Sequence, residues 1–423
     1  MKILRVTNVE SFASKIIPKK PQKNKKIVES ILKKVQNDGD LAIKKFEKKF
    51  SGAKLTSLCV SKNELDNAYK KISKQEVIAI KLAKSRLEKT ESVVKSILKS
   101  KKINADGIKI SKRFVPLQSV GCYIPGGLAK YPSSVIMSVI PAKVAGVKKI
   151  IVVSPPNSDG KIDPLTIVAA NICGASEIYK VGGAQAIAAL SFGTKSIPKV
   201  DKIVGPGGIF VTIAKSLISD ITAIDMLAGP TELGIIADNS ANPQYVALDL
   251  ISQSEHSRDT FCFLITNSEK LAKSVNQKIT DLIPKIKRSD FVKSSLKHNG
   301  FIAICQNRSD MIKLANEIAP EHLQIMTKNP QSLASKITSS GLILIGNETP
   351  SSASDYILGS NHILPTNGFG KTRGSLSVLD FIKIDTQVTT NRASLSKISK
   401  YLDVFTKAEG LPNHFEAVRG RLK

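Results

Sequence analysis

The sequence predicts an α/β protein with two Rossmann-like α/β domains of mostly parallel sheets, plus N-terminal helices and a small helical C-terminal tail. Three observations predict it. From residue 108 onward short β-branched runs alternate with helical stretches: KKIIVVSPP, EIYKVGGAQA, KIVGPG, LGIIAD, TFCFLIT, FIAIC, LQIMT and GLILIG. Such alternation marks βαβ units and a parallel sheet. The runs fall into two sets, about 108–230 and 233–346. The chain's 423 residues suffice for two or three domains with sizeable cores. We expect an N-terminal helical region at 1–107, a first α/β domain at 108–232, a second α/β domain at 233–380 and a tail at 381–423.

The elements follow in order. IVESILKKVQ and DLAIKKFEKKF repeat apolar residues at i, i+3 and i+4, so they read as two helices divided by Asn37-Asp38-Gly39 and stopped near Gly52. A longer helix is expected from about Lys74 to Ser100, and a helical tail over roughly 395–423. No repeat of fixed 20 to 50 residue period is visible.

Composition excludes several classes. An apolar fraction of 42% with 26 Gly and 19 Pro is that of an ordinary globular protein. The richest apolar stretch, Ser133 to Pro155, is broken by Pro141, Lys143, Lys148 and Lys149, so no membrane-spanning helix is expected. The opening MKILRVTNVESFASK lacks the apolar block of a signal peptide, which points to the cytoplasm. Five cysteines at least 43 residues apart offer neither a disulfide framework nor a CxxC site. The net charge of +28 raises nucleic acid as a partner, yet +17 of it lies in residues 1–102, on lysine-rich helix faces. Only 10 of 63 basic residues are Arg and no aromatics interleave them, which favours a solvated surface over a nucleic-acid site.

Two nucleotide fingerprints are absent: Gly205-Pro206-Gly207-Gly208 has Phe210 where GxGxxG needs its third Gly, and Gly370-Lys371-Thr372 has Pro365 where a P-loop begins. The turns CYIPGG, VGGAQA and VGPGG each follow a predicted strand and lead toward a helix, where open α/β sheets bind ligands. Any one could be a plain tight turn. Three in one domain favour binding.

Four of the five histidines, His256, His322, His362 and His414, have an acidic residue within seven positions. Gln253 and His256 lie one turn apart at a helix end and could converge on one ion, with Asp355 and His414 completing an N/O shell suited to zinc or manganese. Glu321-His322 follows Pro320 where a helix gives way to strand LQIMT. There His could move a proton and Glu could activate a water, or the two could form a helix-end salt bridge.

At these residues the chain resembles the histidinol dehydrogenase family over about 25–417. SVGCYIPGG, VGGAQAIAALSFGT, KVDKIVGPG, IDMLAGPTE, DLISQSEH, APEHLQI, SDYILGSNHILPT and AEGLPNH carry the resemblance. It implies zinc held by Gln253, His256, Asp355 and His414, with manganese as a substitute, and substrate contacts from Thr231, Gln253, His256, His322, Asp355, His362, Glu409 and His414. It implies Glu321 and His322 as the acid/base pair, and NAD contacts from Tyr123, Gln185 and Gly208. The implied reaction takes L-histidinol through L-histidinal to L-histidine with two NAD, the last steps of histidine synthesis, in a homodimer whose tails complete the partner's site. Gly208 replaces the Asn of the family's GPGN turn and Thr231 the Ser of GPSE. A zinc hydrolase and a nucleic-acid-binding protein remain as other classes, the first distinguished by independence from nicotinamide and the second by a salt-sensitive gel shift.

Overall fold

In the computed structural model, residues 1–16, 24–126 and 130–423 are described; Gly127, the last residue of CYIPGG, falls outside them. Fourteen strands occur among these residues. They are β1 (Lys2–Arg5), β2 (Lys101–Ala105), β3 (Ile108–Pro116), β4 (Ser119–Tyr123), β5 (Lys149–Ser154), β6 (Glu177–Lys180) and β7 (Lys202–Val204). Then come β8 (Ala223–Ile224), β9 (Glu232–Ala237), β10 (Phe261–Thr266), β11 (Phe301–Ile304), β12 (His322–Met326), β13 (Leu342–Ile345) and β14 (Ile382–Thr389). Two parallel sheets result, in the orders β6-β5-β4-β7-β8 and β1-β11-β10-β9-β12-β13. In both, the first strand of the set lies in the middle, the next two extend to one side, and the fourth and fifth to the other. That is the doubly wound order, and each sheet has a switch point between its first and fourth strands.

Alternation along the strands feeds two cores per sheet, as a pleat requires. Val120, Cys122, Ile150 and Val152 face the Pro132–Ala145 and Lys74–Ile97 helices, while Ile151, Val153 and Ile203 face the Gly183–Phe192 helix and the N-terminal pair. In the second sheet Leu233, Ile235, Cys262, Leu264 and Ile302 point one way, and Ile236, Phe261, Phe263, Phe301 and Leu323 the other. The helices expected at 27–52 form at Lys25–Asp38 and Asp40–Phe50, with Gly39 at φ 52 between them. The long helix starts at Lys74 behind a capping box of Ser73 and Glu76, which fixes its first turn, and ends at Ile97.

The structure adds strands that the sequence reading did not separate out. Residues 2–5 form a parallel edge strand on β11, so the start of the chain joins the second sheet and not the helical region. Residues 101–116 form β2 and β3, and β3 pairs on its other side with β14, giving a third, antiparallel sheet in the order β14-β3-β2. The tail therefore opens with a strand before its helices at Arg392–Ala408 and Pro412–Leu422. These strands carry Lys and Thr on exposed faces, which blurs their periodicity; β2 and β3 form a local hairpin across Asp106-Gly107, whereas β14 lies some 270 residues from its partner β3. No helix among the described residues is long and apolar enough to cross a membrane.

Candidate active site

The Gly-rich turns all leave the carboxyl end of the first sheet. Tyr123 ends β4, Gly182 and Gly183 follow β6, and Gly205 follows β7. Gly205 has φ +114 and a Cβ there would lie 2.1 Å from the Tyr123 carbonyl oxygen, so only glycine lets the turn close on β4. The turn is anchored from below: the Gly205 N–H donates to Asp225 Oδ2 at 2.8 Å, and Lys215 Nζ donates to the Gly205 carbonyl at 3.0 Å while pairing with the Asp225 carboxylate. The Gly183 N–H is 3.2 Å from the buried Tyr123 hydroxyl, and Gln185, in the first helical turn, is itself buried. Gly208 precedes the Ile209–Leu217 helix at φ −68 with open space where a Cβ would stand. A side chain would fit there, so the glycine is not demanded by the backbone.

The other candidates gather at the amino end of the second sheet. Glu232 opens β9 and His322 opens the neighbouring β12, with Glu321 just before it. The Glu232 N–H donates to Glu321 Oε2 at 2.8 Å, and the Glu321 N–H returns the bond to Glu232 Oε2 at 3.2 Å. Glu232 Oε1 also accepts from the Asn367 N–H at 2.8 Å. His322 Nδ1 donates to the Glu232 carbonyl at 3.2 Å, which leaves Nε2 facing Asp355 Oδ1 at 3.3 Å without the alignment of a hydrogen bond. Glu321 Oε2 is 3.8 Å from His322 Nδ1. Burial favours the neutral imidazole, but the carboxylates of Glu321 and Asp355 and the Glu232 carbonyl outweigh it and hold His322 above the usual histidine range. Burial pushes the Glu321 carboxyl up, against the pull of His322 and the Glu232 N–H. Glu321 and His322 thus share one site, and neither is engaged in a simple surface salt bridge.

Asp355 ends the short Ser351–Ser354 helix and joins several candidates. His256 Nε2 lies 4.0 Å from Asp355 Oδ2, and His362 Nδ1 donates to the Asp355 carbonyl at 2.6 Å. The remaining His362 nitrogen is 3.3 Å from the Ser134 hydroxyl on the Pro132–Ala145 helix, and Asn361 donates to the Met137 carbonyl at 2.7 Å. This loop therefore ties the second sheet to the first. Gln253, one turn before His256 and 1% exposed, accepts from the Ser351 hydroxyl at 3.4 Å while its Nε2 has no partner. An orphaned buried amide is costly, and turning it over would let Nε2 donate to Ser351 and present Oε1 to a cation. That donor set suits zinc. Within the chain it is incomplete, since no group of three or more His, Cys, Asp or Glu among the described residues could hold a metal ion. His414 and Glu409 are exposed on the terminal helix pair, and no hydrogen bond or ion pair among the described residues links them to the site. Thr231 sits directly before β9, half-buried, its carbonyl accepting from the Phe261 N–H.

Sequence reasoning passed over Glu232, although it stood inside IDMLAGPTE, because nothing local shows a carboxylate pinning three backbone segments. It also passed over Asp249, which takes the Gln324 amide at 2.9 Å beneath the site, and Glu47, which takes the Gly182 N–H and the Gln185 amide.

The histidinol dehydrogenase family model matches residues 17–422. The chain is 42% identical over 404 residues to histidinol dehydrogenase of Oceanobacillus iheyensis, covering 94% of each protein. It is 43% identical to that of Methanococcus maripaludis over 396 residues, 93% of this chain and 92% of the relative. A crystal structure of histidinol dehydrogenase from Elizabethkingia anophelis superposes with a TM-score of 0.94 at 34% identity, covering 100% of this chain and 98% of that one. The chain belongs to the histidinol dehydrogenase family, and it is an oxidoreductase.

Proposed function

We propose that the protein oxidises L-histidinol through L-histidinal to L-histidine in two NAD-dependent steps, the close of histidine biosynthesis, in the cytoplasm. Five free thiols fit that reducing compartment. The observation that carries the reading is the buried His322 with Nδ1 held by the Glu232 carbonyl, Nε2 left without a hydrogen bond, and Glu321 beside it. In its neutral form, which the surrounding carboxylates make the minor one at neutral pH, His322 takes the substrate hydroxyl proton at Nε2 in the first oxidation, and Glu321, when ionised, takes a proton from the water that hydrates the aldehyde. In the second oxidation Nε2 takes the hydroxyl proton of that hydrate. NAD, when bound, accepts one hydride in each oxidation, and Tyr123, Gln185 and Gly208 are its proposed contacts. Zinc or manganese held by Gln253, His256, Asp355 and His414 would orient the imidazole and amine of the substrate. Thr231, His362 and Glu409 join these as substrate contacts. Four parts share the work in this reading: the mostly helical 1–107, whose first strand joins the second sheet, the NAD-binding 108–232, the catalytic 233–380 and the tail 381–423.

Stoichiometry tests the reaction. Two NADH should form per histidinol consumed; a yield of one would reject the second oxidation. Thorough chelation should abolish turnover, with zinc or manganese restoring it, and full activity after verified metal removal would reject the metal set. The exposed His414 supports a homodimer in which each tail completes the other subunit's site. Mixing His322→Ala with His414→Ala under subunit exchange should recover roughly a quarter of wild-type activity, because each mixed dimer has one intact site. Continued inactivity of demonstrated mixed dimers would place each tail in its own chain's site.

A further inference from the structure

One buried carboxylate lies under the cofactor turns and takes no part in the chemistry above. Glu47, on the Asp40–Phe50 helix, is 1% exposed. Its Oε1 accepts from the Gly182 N–H at 2.9 Å and from Gln185 Nε2 at 2.8 Å, while Oε2 accepts from the Ser51 hydroxyl at 3.1 Å. No lysine or arginine among the described residues pairs with it. Burial pushes this carboxyl up, opposed by those three donors. An unpaired buried carboxylate is costly to keep, and an apolar side chain would commonly serve packing better.

Gly182 caps the Gly183–Phe192 helix. In an open parallel sheet such a helix N-terminus is where a pyrophosphate commonly sits, drawn by free N–H groups and the positive end of the dipole. Here the position is already filled. Glu47 takes the Gly182 N–H and Tyr123 the Gly183 N–H. A phosphate brought beside this buried anion would meet repulsion and no free donor at either glycine. What the turn offers a ligand is the Gln185 amide: with Nε2 committed to Glu47, Oε1 is the end that accepts no hydrogen bond within the described protein. An amide oxygen receives hydroxyl or amino donors, not phosphate oxygens.

We propose that Glu47 is a positioning residue for the dinucleotide, fixing the Gln185 amide so that its oxygen receives a ribose hydroxyl or an amide of the cofactor. This rests on the reading of Gln185 as a cofactor contact. The test is calorimetric titration of the zinc-loaded enzyme with NAD alone and, separately, with histidinol alone. Glu47→Ala should weaken NAD about 10-fold or more, the scale of hydrogen bonds to a charged group, and leave histidinol affinity unchanged. Glu47→Gln should stay within about 3-fold of wild type, because an amide oxygen can still accept from Gly182 and Gln185. If Glu47→Ala does not fold, Glu47→Asp gives the same reading, its carboxylate one methylene short of the turn. Wild-type NAD affinity in Glu47→Ala or Glu47→Asp, or parallel loss of NAD and histidinol affinity, would overturn the proposal. Gln185→Ala separates the two failures. If it leaves NAD affinity unchanged the cofactor assignment itself falls, whereas a loss there with none in Glu47→Ala rejects only the role of Glu47.

Discussion

The two parallel sheets share one strand order and carry their candidate residues at opposite ends. The first offers its carboxyl end, where Tyr123 and Gly205 close a turn at the switch point between β4 and β7 and Gly182 follows the edge strand β6. The second places Glu232, Glu321 and His322 at the amino end of β9 and β12. A short connection explains how opposite ends come together. Asp225 accepts the Gly205 N–H, and seven residues later Glu232 accepts the N–H of Glu321. The Thr212 hydroxyl donates to the Ala228 carbonyl and the Gly229 N–H to the Thr366 hydroxyl, which closes the seam. Topology alone thus does not say which end of a sheet carries chemistry. The residues at the joint decide it.

The largest expected effect falls on the second sheet's amino end. His322→Ala should lower both oxidations by ~10²- to 10⁴-fold, the scale of a lost general base, with NAD affinity unchanged. Comparable loss of NAD binding would show that the two ends are not separate in function. Glu321→Gln should slow histidinal oxidation far more than histidinol oxidation, as only the former needs an activated water; stopped-flow assays with each substrate give the ratio. Equal slowing would merge the roles divided here.

Smaller effects sharpen the contrast. Burial pushes the Asp249 carboxyl from 3.8 to about 6, with the Gln324 amide pulling the other way. Because the folded value is the higher one, the unfolded chain releases its proton first, and stability falls as pH rises from about 4 to about 6. Asp249→Asn keeps the bond from Gln324 and should be more stable than wild type by about 1–3 kcal/mol at pH 8, with no difference below pH 4. Urea unfolding across that range checks it, and a gap independent of pH would reject the cause. At the cofactor end, Gly208→Asn meets open space and an ordinary φ, so it should fold as wild type and tighten NAD by a few-fold through one added hydrogen bond. Unchanged affinity would remove Gly208 from the contact set.

Much of this was legible in the chain itself. The uninterrupted apolar runs at KIIVV and FCFLIT bury both faces, as strands of a parallel sheet under helices do, and the long helix begins at Lys74 as expected. Glu321-His322 at a helix-to-strand joint marked a candidate site, since residue type and local geometry there are set within a few positions. The tertiary structure decided the rest. Glu232 matters only because β9 lies beside β12, and Glu47 only because its helix packs beneath a turn 135 residues away. The third sheet exists because β14 returns to β3, a pairing that no local pattern encodes. Hydrophobic period and capping act over one turn or one pleat, whereas burial of a carboxylate and its hydrogen-bond partners depend on which distant segments the fold brings against it.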